Sequence, residues 1–147
     1  MPRVDYELAL PYRYVLDGAG QTHPRPSLPV QVIGPQTSHE VLAQVDSGSY
    51  YVVFDGEIAQ NIGLDLPTGE GISLSTAAAG VPARLHEVML DVEGHRFRCR
   101  AAFTEVPIPR CVLGREGFFS FWLVGFRHRL SEFYLSPDPD APFLDRP

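Results

Sequence analysis

Apolar and polar residues alternate with a period of two along much of the chain, most clearly in residues 85–103, LHEVMLDVEGHRFRCRAAF. Successive side chains of a strand point to opposite faces, so this pattern predicts a β-hairpin with one buried face and a turn at Glu93-Gly94. The residues expected on the buried face are Val88, Leu90, Val92, Phe97, Cys99, Ala101 and Phe103.

The same pattern predicts strands elsewhere, and two stretches favour short helical turns instead. The 13 glycines and 14 prolines are spread along the chain, which argues against long helices. The sequence therefore predicts an all-β domain. Its further strands are Leu28–Ile33, Val41–Val45, Tyr51–Phe54, Ile72–Thr76 and Trp122–Leu135, the last divided by a turn near His128–Ser131. The helical turns are expected at Glu57–Ile62 and after Gly114.

A length of 147 residues fits one domain with its own core. We expect an N-terminal extension over residues 1–27, the domain proper over 28–135, and a flexible tail rich in Pro and Asp over 136–147. No internal repeat is visible in the sequence.

Charge bears on the class of partner. The net charge of −6 argues against nucleic acid, because phosphate contacts need a basic surface. Arg96, Arg98 and Arg100 alternate on one strand face and leave open an all-β nucleic-acid-binding protein, although a solvated sheet face is the favoured interpretation.

The compartment is inferred from absent patterns. No run approaches the ~18 apolar residues of a membrane span, and MPRVDYELALPYRY lacks the order of a secretory signal. Cys99 and Cys111 cannot form a disulfide framework and are expected to be reduced. These features predict a cytoplasmic protein without a membrane partner.

Common catalytic motifs are incomplete in this sequence. His39-Glu40 and His86-Glu87 resemble the start of a zinc-protease helix, but neither is followed by a second His at the required spacing. Ser47 lacks the glycine that a hydrolase elbow places two positions upstream. The glycines at 69 and 71 lack the rest of a phosphate loop. We therefore expect no metal and no cofactor.

One acidic tripeptide stands in an unusual context. Asp46-Ser47-Gly48 lies within LAQVDSGSYYVVF, between two apolar runs that both indicate strands. A simple Asx-turn is one interpretation. A catalytic carboxylate is the other, because burial allows a pair of carboxylates to share one proton.

A second motif follows far downstream, in CVLGREGFFSF at residues 111–121, where an apolar strand runs into Gly114-Arg115. The sequence resembles the retropepsin-like aspartic proteases in the order of its two motifs. Asp46-Ser47-Gly48 comes early in the chain, and Leu113-Gly114-Arg115 comes late. The resemblance covers roughly Leu28 to Leu135. It implies a closed β-barrel or sandwich with a flap hairpin and one or two short helices.

The resemblance also implies roles for residues. Asp46 would be catalytic, with Ser47 and Gly48 supporting its loop. The flap would be formed by Thr76, Ala77, Ala78, Ala79 and Gly80, although a plain loop of small residues is the alternative.

Two departures from the family pattern concern the loops. Ser49 stands where many members have Ala. Tyr50 stands where some viral members carry an acidic residue that pairs with the Arg of the late motif. Arg115 therefore needs another partner, Asp55, Glu116 or solvent.

Aspartic peptidase chemistry needs two carboxylates, one to take a proton from water and one to polarise the scissile carbonyl. The chain has one Asp-Ser-Gly and is too short for two lobes. The sequence therefore predicts a homodimeric aspartic endopeptidase whose two Asp46 side chains meet at a two-fold axis and act on an extended peptide. The alternative is a catalytically inactive peptide-binding or dimerisation module on the same fold.

Overall fold

The alternating pattern folds into strands throughout the computed structural model, which describes residues 3–16, 22–77, 79–145 and 147. Within these ranges there are twelve strands, one α-helix and two 3₁₀ helices. The strands are β1 (Leu8–Pro11), β2 (Arg13–Leu16), β3 (Thr22–Arg25), β4 (Ser27–Ile33), β5 (Ser38–Val45), β6 (Val52–Asp55), β7 (Glu70–Ser75), β8 (Gly80–Val92), β9 (His95–Thr104), β10 (Cys111–Leu113), β11 (Trp122–Arg127) and β12 (Glu132–Pro137). The helix α1 is Gly56–Ile62, and the 3₁₀ helices are Leu66–Thr68 and His128–Leu130.

The β8–β9 hairpin confirms the predicted turn at Glu93-Gly94. Val92 pairs with His95 across a two-residue turn, and the ladder continues to Ala83 and Thr104. Glu93 and Gly94 have φ angles of 50° and 84°. Positive φ at both positions is the type I′ geometry that suits the right-handed twist of paired strands. The seven residues expected on the buried face are all buried.

The main sheet closes on itself. Its strand order is β4-β5-β10-β6-β9-β8-β7, and β4 also pairs with β8. Six strands therefore form a closed ring, with β7 attached as an edge, which agrees with the predicted closed all-β fold. The short strand β10 lies between β5, to which it is parallel, and β6, to which it is antiparallel.

The apolar residues of the sheet separate into two clusters. The larger is the main core and includes the aromatic rings of Phe54, Phe97 and Trp122. A smaller cluster is centred on four buried residues, Val53, Ala83, Leu85 and Ala102. Alternation along the strands sends neighbouring side chains to the two clusters, so both sides of this part of the sheet are apolar.

Helical structure is short, as predicted. Asp55 caps α1 by accepting the N–H of Glu57 at 2.9 Å, and Gly63 ends the helix at a φ of 88°. After Gly114 the chain makes successive turns rather than a regular helix. Among the described residues, no helix has the length and apolarity to cross a membrane.

The expected N-terminal extension and C-terminal tail meet in a second sheet. Strand β1 pairs with β12, which also pairs with β11. Strand β12 continues to Pro137, beyond the predicted start of the tail. Phe143 then packs against His95 and Trp122, and the N–H of Leu144 donates to the carbonyl of Arg96 at 2.7 Å. An apolar ring and backbone hydrogen bonds thus pack part of the segment expected as a flexible tail against the core.

Candidate active site

Asp46 lies directly after β5, where the strand enters a tight turn. Its backbone N–H donates to the carbonyl of Leu113 at 3.0 Å, and its carboxylate accepts the N–H of Gly48 at 2.9 Å. The second bond is the Asx-turn that the sequence allowed, and it orients the carboxylate. The carboxylate is half-buried, while Ser47 and Gly48 are exposed. The complete burial expected for this turn is thus not provided by a single chain.

The late motif crosses directly beneath this turn. The N–H of Arg115 donates to the carbonyl of Ser49 at 2.9 Å, and the N–H of Glu116 donates to that of Tyr50 at 2.7 Å. A Cβ added to Gly114 would lie 2.1 Å from the Tyr51 carbonyl oxygen. Only glycine allows this close approach of two backbones. Insertion of β10 between β5 and β6 therefore joins the two sequence motifs into one unit.

The side chain of Arg115 also contacts the Asp46 turn. One guanidinium nitrogen donates to the carbonyl of Ser47 at 2.6 Å, and the guanidinium lies 5.8 Å from the ring centre of Tyr50. Among the described residues neither Asp55 nor Glu116 pairs with Arg115, so those two suggested partners are wrong. Asp55 instead caps α1 and accepts the N–H of Ile108 at 3.3 Å.

The hydroxyl that ties the turn within one chain comes from Ser49, which donates to the carbonyl of Tyr51 at 2.7 Å. Ser47 is exposed, and its side chain makes no hydrogen bond to any residue in the described ranges. A role for Ser47 in bracing two loops across a dimer remains a prediction. No sequence pattern distinguishes Ser49 from other small residues that could follow the tripeptide.

The segment predicted as a flap is the tip of the β7–β8 hairpin. Thr76 and Ala79 close the tip, because the Thr76 hydroxyl bonds to the Ala79 carbonyl and accepts the Ala79 N–H at 3.1 Å. Gly80 begins β8 and pairs with Ser75. Ala77 lies in the tip, and Ala78 lies outside the described residues. The predicted small-residue segment is therefore a hydrogen-bonded hairpin tip rather than an irregular loop.

A cleft of about 830 Å³ separates the Asp46 turn from this hairpin. Its floor is the smaller apolar cluster, which includes Val53 and Val112. Asp46 is the one carboxylate among the described residues that lines it. An apolar cleft with a few polar groups around a carboxylate is typical of a substrate site.

Several cleft residues were missed at the level of sequence. Ser73 and Ser75 lie on the hairpin side, and Ile108, Pro109 and Arg110 lie on the approach to β10. Alternation through Cys111 is the signal that could have found Arg110, because residues 110 and 112 fall on one face, but it does not account for Pro109.

The arginine stripe of β9 is an ion-paired sheet face. Arg96 pairs with Asp91 at 3.1 Å, Arg98 lies 3.8 Å from Glu87, and Arg100 pairs with Glu70. Each cation is matched by an acidic residue of β8 or β7. This pairing favours the interpretation as a solvated face over a phosphate-binding surface.

The two thiols are free and buried. Burial raises the pKa of Cys99 to about 12, with smaller contributions from the charges of Glu116 and Glu87. Burial likewise raises the pKa of Cys111 to about 11. Buried neutral thiols are poor nucleophiles and poor metal ligands. No cluster of three or more His, Cys, Asp or Glu side chains occurs in the described part of the chain.

Comparison with known proteins identifies the fold. No family model and no curated protein matches the sequence. A retropepsin-like aspartic protease from Rickettsia conorii superimposes with a TM-score of 0.55 at 16% identity, over 93% of this chain and 99% of that chain. EIAV protease in complex with the inhibitor HBY-793 matches with a TM-score of 0.49 at 16% identity, over 62% of this chain and 82% of that chain. The chain has a retropepsin-like fold.

Proposed function

We propose that this protein is an aspartic endopeptidase that acts as a homodimer, in which each chain contributes Asp46 to one catalytic pair. The observation that carries the proposal is the placement of Asp46, which follows β5 on a turn held by Leu113 and Gly48 and lines the cleft beneath the β7–β8 hairpin. No other carboxylate of the described residues lines this cleft. Chemistry that needs two carboxylates therefore needs a second copy of the chain.

The proposed reaction uses one proton shared by the two Asp46 side chains. Like charges at close range cannot both persist, so the pair holds a single negative charge. The ionised carboxylate takes a proton from a water molecule, and the oxygen of that water bonds to the scissile carbonyl carbon. The protonated carboxyl donates to the carbonyl oxygen. The C–N bond then breaks as a proton passes to the leaving nitrogen, which yields a carboxylic acid and an amine.

The substrate class follows from the edges of the cleft. Strand β7 is the last strand of the main sheet and lines the cleft through Ser73, Leu74 and Ser75. An edge strand offers unpaired backbone groups to an extended peptide, which binds as an added strand. The hairpin tip at Thr76–Gly80 acts as the flap that covers the peptide and excludes water.

We assign the protein to the cytoplasm. The two described cysteines support this assignment, because both are free and buried. Reduced thiols are typical of proteins in a reducing compartment.

The test is replacement of the carboxylate without change of shape. The variant Asp46→Asn removes the ionisable group, and we expect it to lose hydrolysis of a mixed peptide library between about pH 4 and 7, the range that brackets a carboxylate pair. The matched control is Asp65→Asn, since Asp65 is exposed and its side chain makes no capping bond. Hydrolysis that persists in Asp46→Asn would contradict the proposal. A wild-type protein that binds peptides but releases no product would favour the inactive binding module.

A further inference from the structure

Arg110 lies on the wall of the cleft, one residue before β10. Ile108, Pro109, Arg110 and Val112 all line the cleft. The intervening Cys111 and the following Leu113 are buried in the main core. Arg110 therefore lies on the cleft side of this segment, away from the main core.

Arg110 differs from the other cleft arginine and from the arginines of the neighbouring strands in having no partner. Arg115 is bonded to the carbonyl of Ser47, and Arg84 pairs with Glu105 at 2.8 Å. The three arginines of β9 each pair with an acidic residue. Arg110 is half-buried, yet no ion pair or hydrogen bond joins its side chain to any residue of the described ranges. A partly desolvated cation without a partner is costly unless a ligand supplies the matching charge.

The segment that carries Arg110 is held at several points. The N–H of Glu105 donates to the carbonyl of Pro82 at 2.9 Å, and the hydroxyl of Thr104 donates to the carbonyl of Val106 at 2.7 Å. The carboxylate of Asp55 accepts the N–H of Ile108 at 3.3 Å. A guanidinium on a fixed backbone loses less freedom when it binds a ligand, which favours specific recognition.

The charge of the cleft is opposite to that of the whole chain. The chain carries a net charge of −6, whereas the charged residues that line the cleft are Asp46, Arg110 and Arg115. Since Arg115 is engaged with the backbone of the Asp46 turn, Arg110 is the cation left to face a ligand.

We propose that Arg110 is a specificity-determining residue, whose guanidinium pairs with an aspartate or glutamate side chain of a peptide bound in the cleft. The planar guanidinium binds a carboxylate through two parallel hydrogen bonds, a geometry that an uncharged glutamine does not reproduce. This inference rests on the proposed function, because it takes the cleft to hold an extended peptide. In a two-fold dimer each chain supplies one Arg110, so acidic residues are favoured on both sides of the scissile bond.

The test measures binding, so that it does not depend on turnover. The probes are fluorescein-labelled peptides of Ala and Leu in which Glu, Gln or Lys is moved through each position, added to the full chain carrying Asp46→Asn at about pH 6, where Glu is ionised. We expect Glu to bind about tenfold more tightly than Gln at one or more positions, the size of effect of a hydrogen bond to a charged group. Adding Arg110→Met should remove this preference, Arg110→Lys should keep part of it, and Arg110→Glu should transfer it to Lys.

The control is Arg129→Met, an exposed arginine outside the cleft that should leave the preference unchanged. Three results overturn the proposal: equal affinity for Glu and Gln at every position, a preference that survives Arg110→Met, or no binding of any probe. Thermal unfolding verifies that each variant is folded.

Cleavage of the same peptides by the wild-type chain separates this inference from the proposed function. A preference for Glu that depends on Arg110, without product, supports the inference and contradicts the peptidase. Cleavage that depends on Asp46 but is indifferent to Arg110 supports the peptidase and overturns the inference.

Discussion

The two motifs can pack together because residue 114 is a glycine. Its Cα passes so close to the turn that an added Cβ would lie 2.1 Å from the Tyr51 carbonyl oxygen and 2.7 Å from that of Ser49. Both neighbours are backbone atoms, which cannot rotate away as a side chain can. The sequence identified this glycine through its motif, but the atoms that exclude a side chain come from a segment more than sixty residues earlier.

Replacement of Gly114 by alanine is therefore expected to destabilise the protein. The contact forces β10 away from the Asp46 turn, and overpacking of this kind costs about 1–3 kcal/mol or more. Denaturant unfolding measures the loss. The matched control is Gly71→Ala on β7, where the nearest atom to the added Cβ is a side-chain nitrogen of Arg84 at 3.4 Å, an ordinary van der Waals distance. Equal stability of Gly114→Ala and wild type would contradict the described crossing.

The buried thiols lead to a prediction about alkaline pH. The ordinary thiol pKa is 9.0, and burial raises it to about 12 for Cys99 and about 11 for Cys111. Above pH 9 the unfolded chain loses protons that the folded chain retains, so the stability of the folded state falls as pH rises from 9 towards 12. Below pH 9 the thiols contribute no pH dependence.

Denaturant unfolding at pH 8 and at pH 10.5 measures this slope, and each thiol contributes up to about 1.4 kcal/mol per pH unit. The variant Cys99→Ala serves as the comparison, because its stability should decline less steeply. A decline that is equally steep in both proteins would exclude Cys99 as its source.

At the level of elements, hairpins were predictable from sequence and distant pairings were not. The alternation in residues 85–103 contains both strands and the turn that joins them, so local information is sufficient. The pairing of β1 with β12 joins the two ends of the chain, and no local pattern specifies it. Strands β1 to β3 have only four residues each, which is too short for alternation to stand out.

At the candidate site, too, the contacts made around β10 could be predicted only in part from the sequence. The tripeptide at 46–48 and the motif at 113–115 were both recognised, and their order carried the resemblance to retropepsin-like proteases. The contact between Arg115 and the Ser47 carbonyl was not predicted, because a carbonyl acceptor exists at every residue and carries no sequence signal. A side-chain partner was expected instead, and the structure provides a backbone one.

The hairpin tip gives a prediction at this scale. Thr76→Val preserves shape but removes the hydroxyl that bonds to Ala79. Each lost hydrogen bond is worth about 1 kcal/mol, so the tip should open more often and kcat/KM should fall by roughly five- to tenfold. Faster amide hydrogen exchange over residues 75–80 measures the opening.

Thr68→Val is the control for the hairpin tip, because the Thr68 hydroxyl also bonds to a loop carbonyl, at 2.7 Å, but lies outside the cleft. It should leave both exchange at the tip and kcat/KM unchanged. Unaltered exchange in Thr76→Val would show that the hydroxyl does not hold the hairpin closed.

Under the proposed function, one molecule of this protein supplies half of an active site. The closed sheet and its helix place Asp46 at the cleft and leave Ser47, Gly48 and Tyr50 exposed beside it. The same turn thus carries the residue proposed as catalytic and an uncovered surface, which is the arrangement expected where a two-fold partner completes the site. The absence of an internal repeat leads to the same proposal from the sequence, whereas the exposure of Ser47, Gly48 and Tyr50 is known only from the fold.

A mixing experiment tests the half-site at the scale of the assembly. Wild-type chains and Asp46→Asn chains are denatured together in equal amounts and refolded, with the total concentration held constant. If each active site needs Asp46 from both chains, random pairing leaves about one quarter of the wild-type activity, whereas independent monomers would leave about one half. Refolding with Asp65→Asn chains is the control and should retain full activity, because Asp65 lies outside the cleft.

Dilution of the wild type should lower its specific activity as dimers dissociate, with sedimentation at the same concentrations showing the change in mass. Activity that falls in simple proportion to the wild-type fraction, and is constant on dilution, would show that one chain carries a complete site and that the second carboxylate comes from within it.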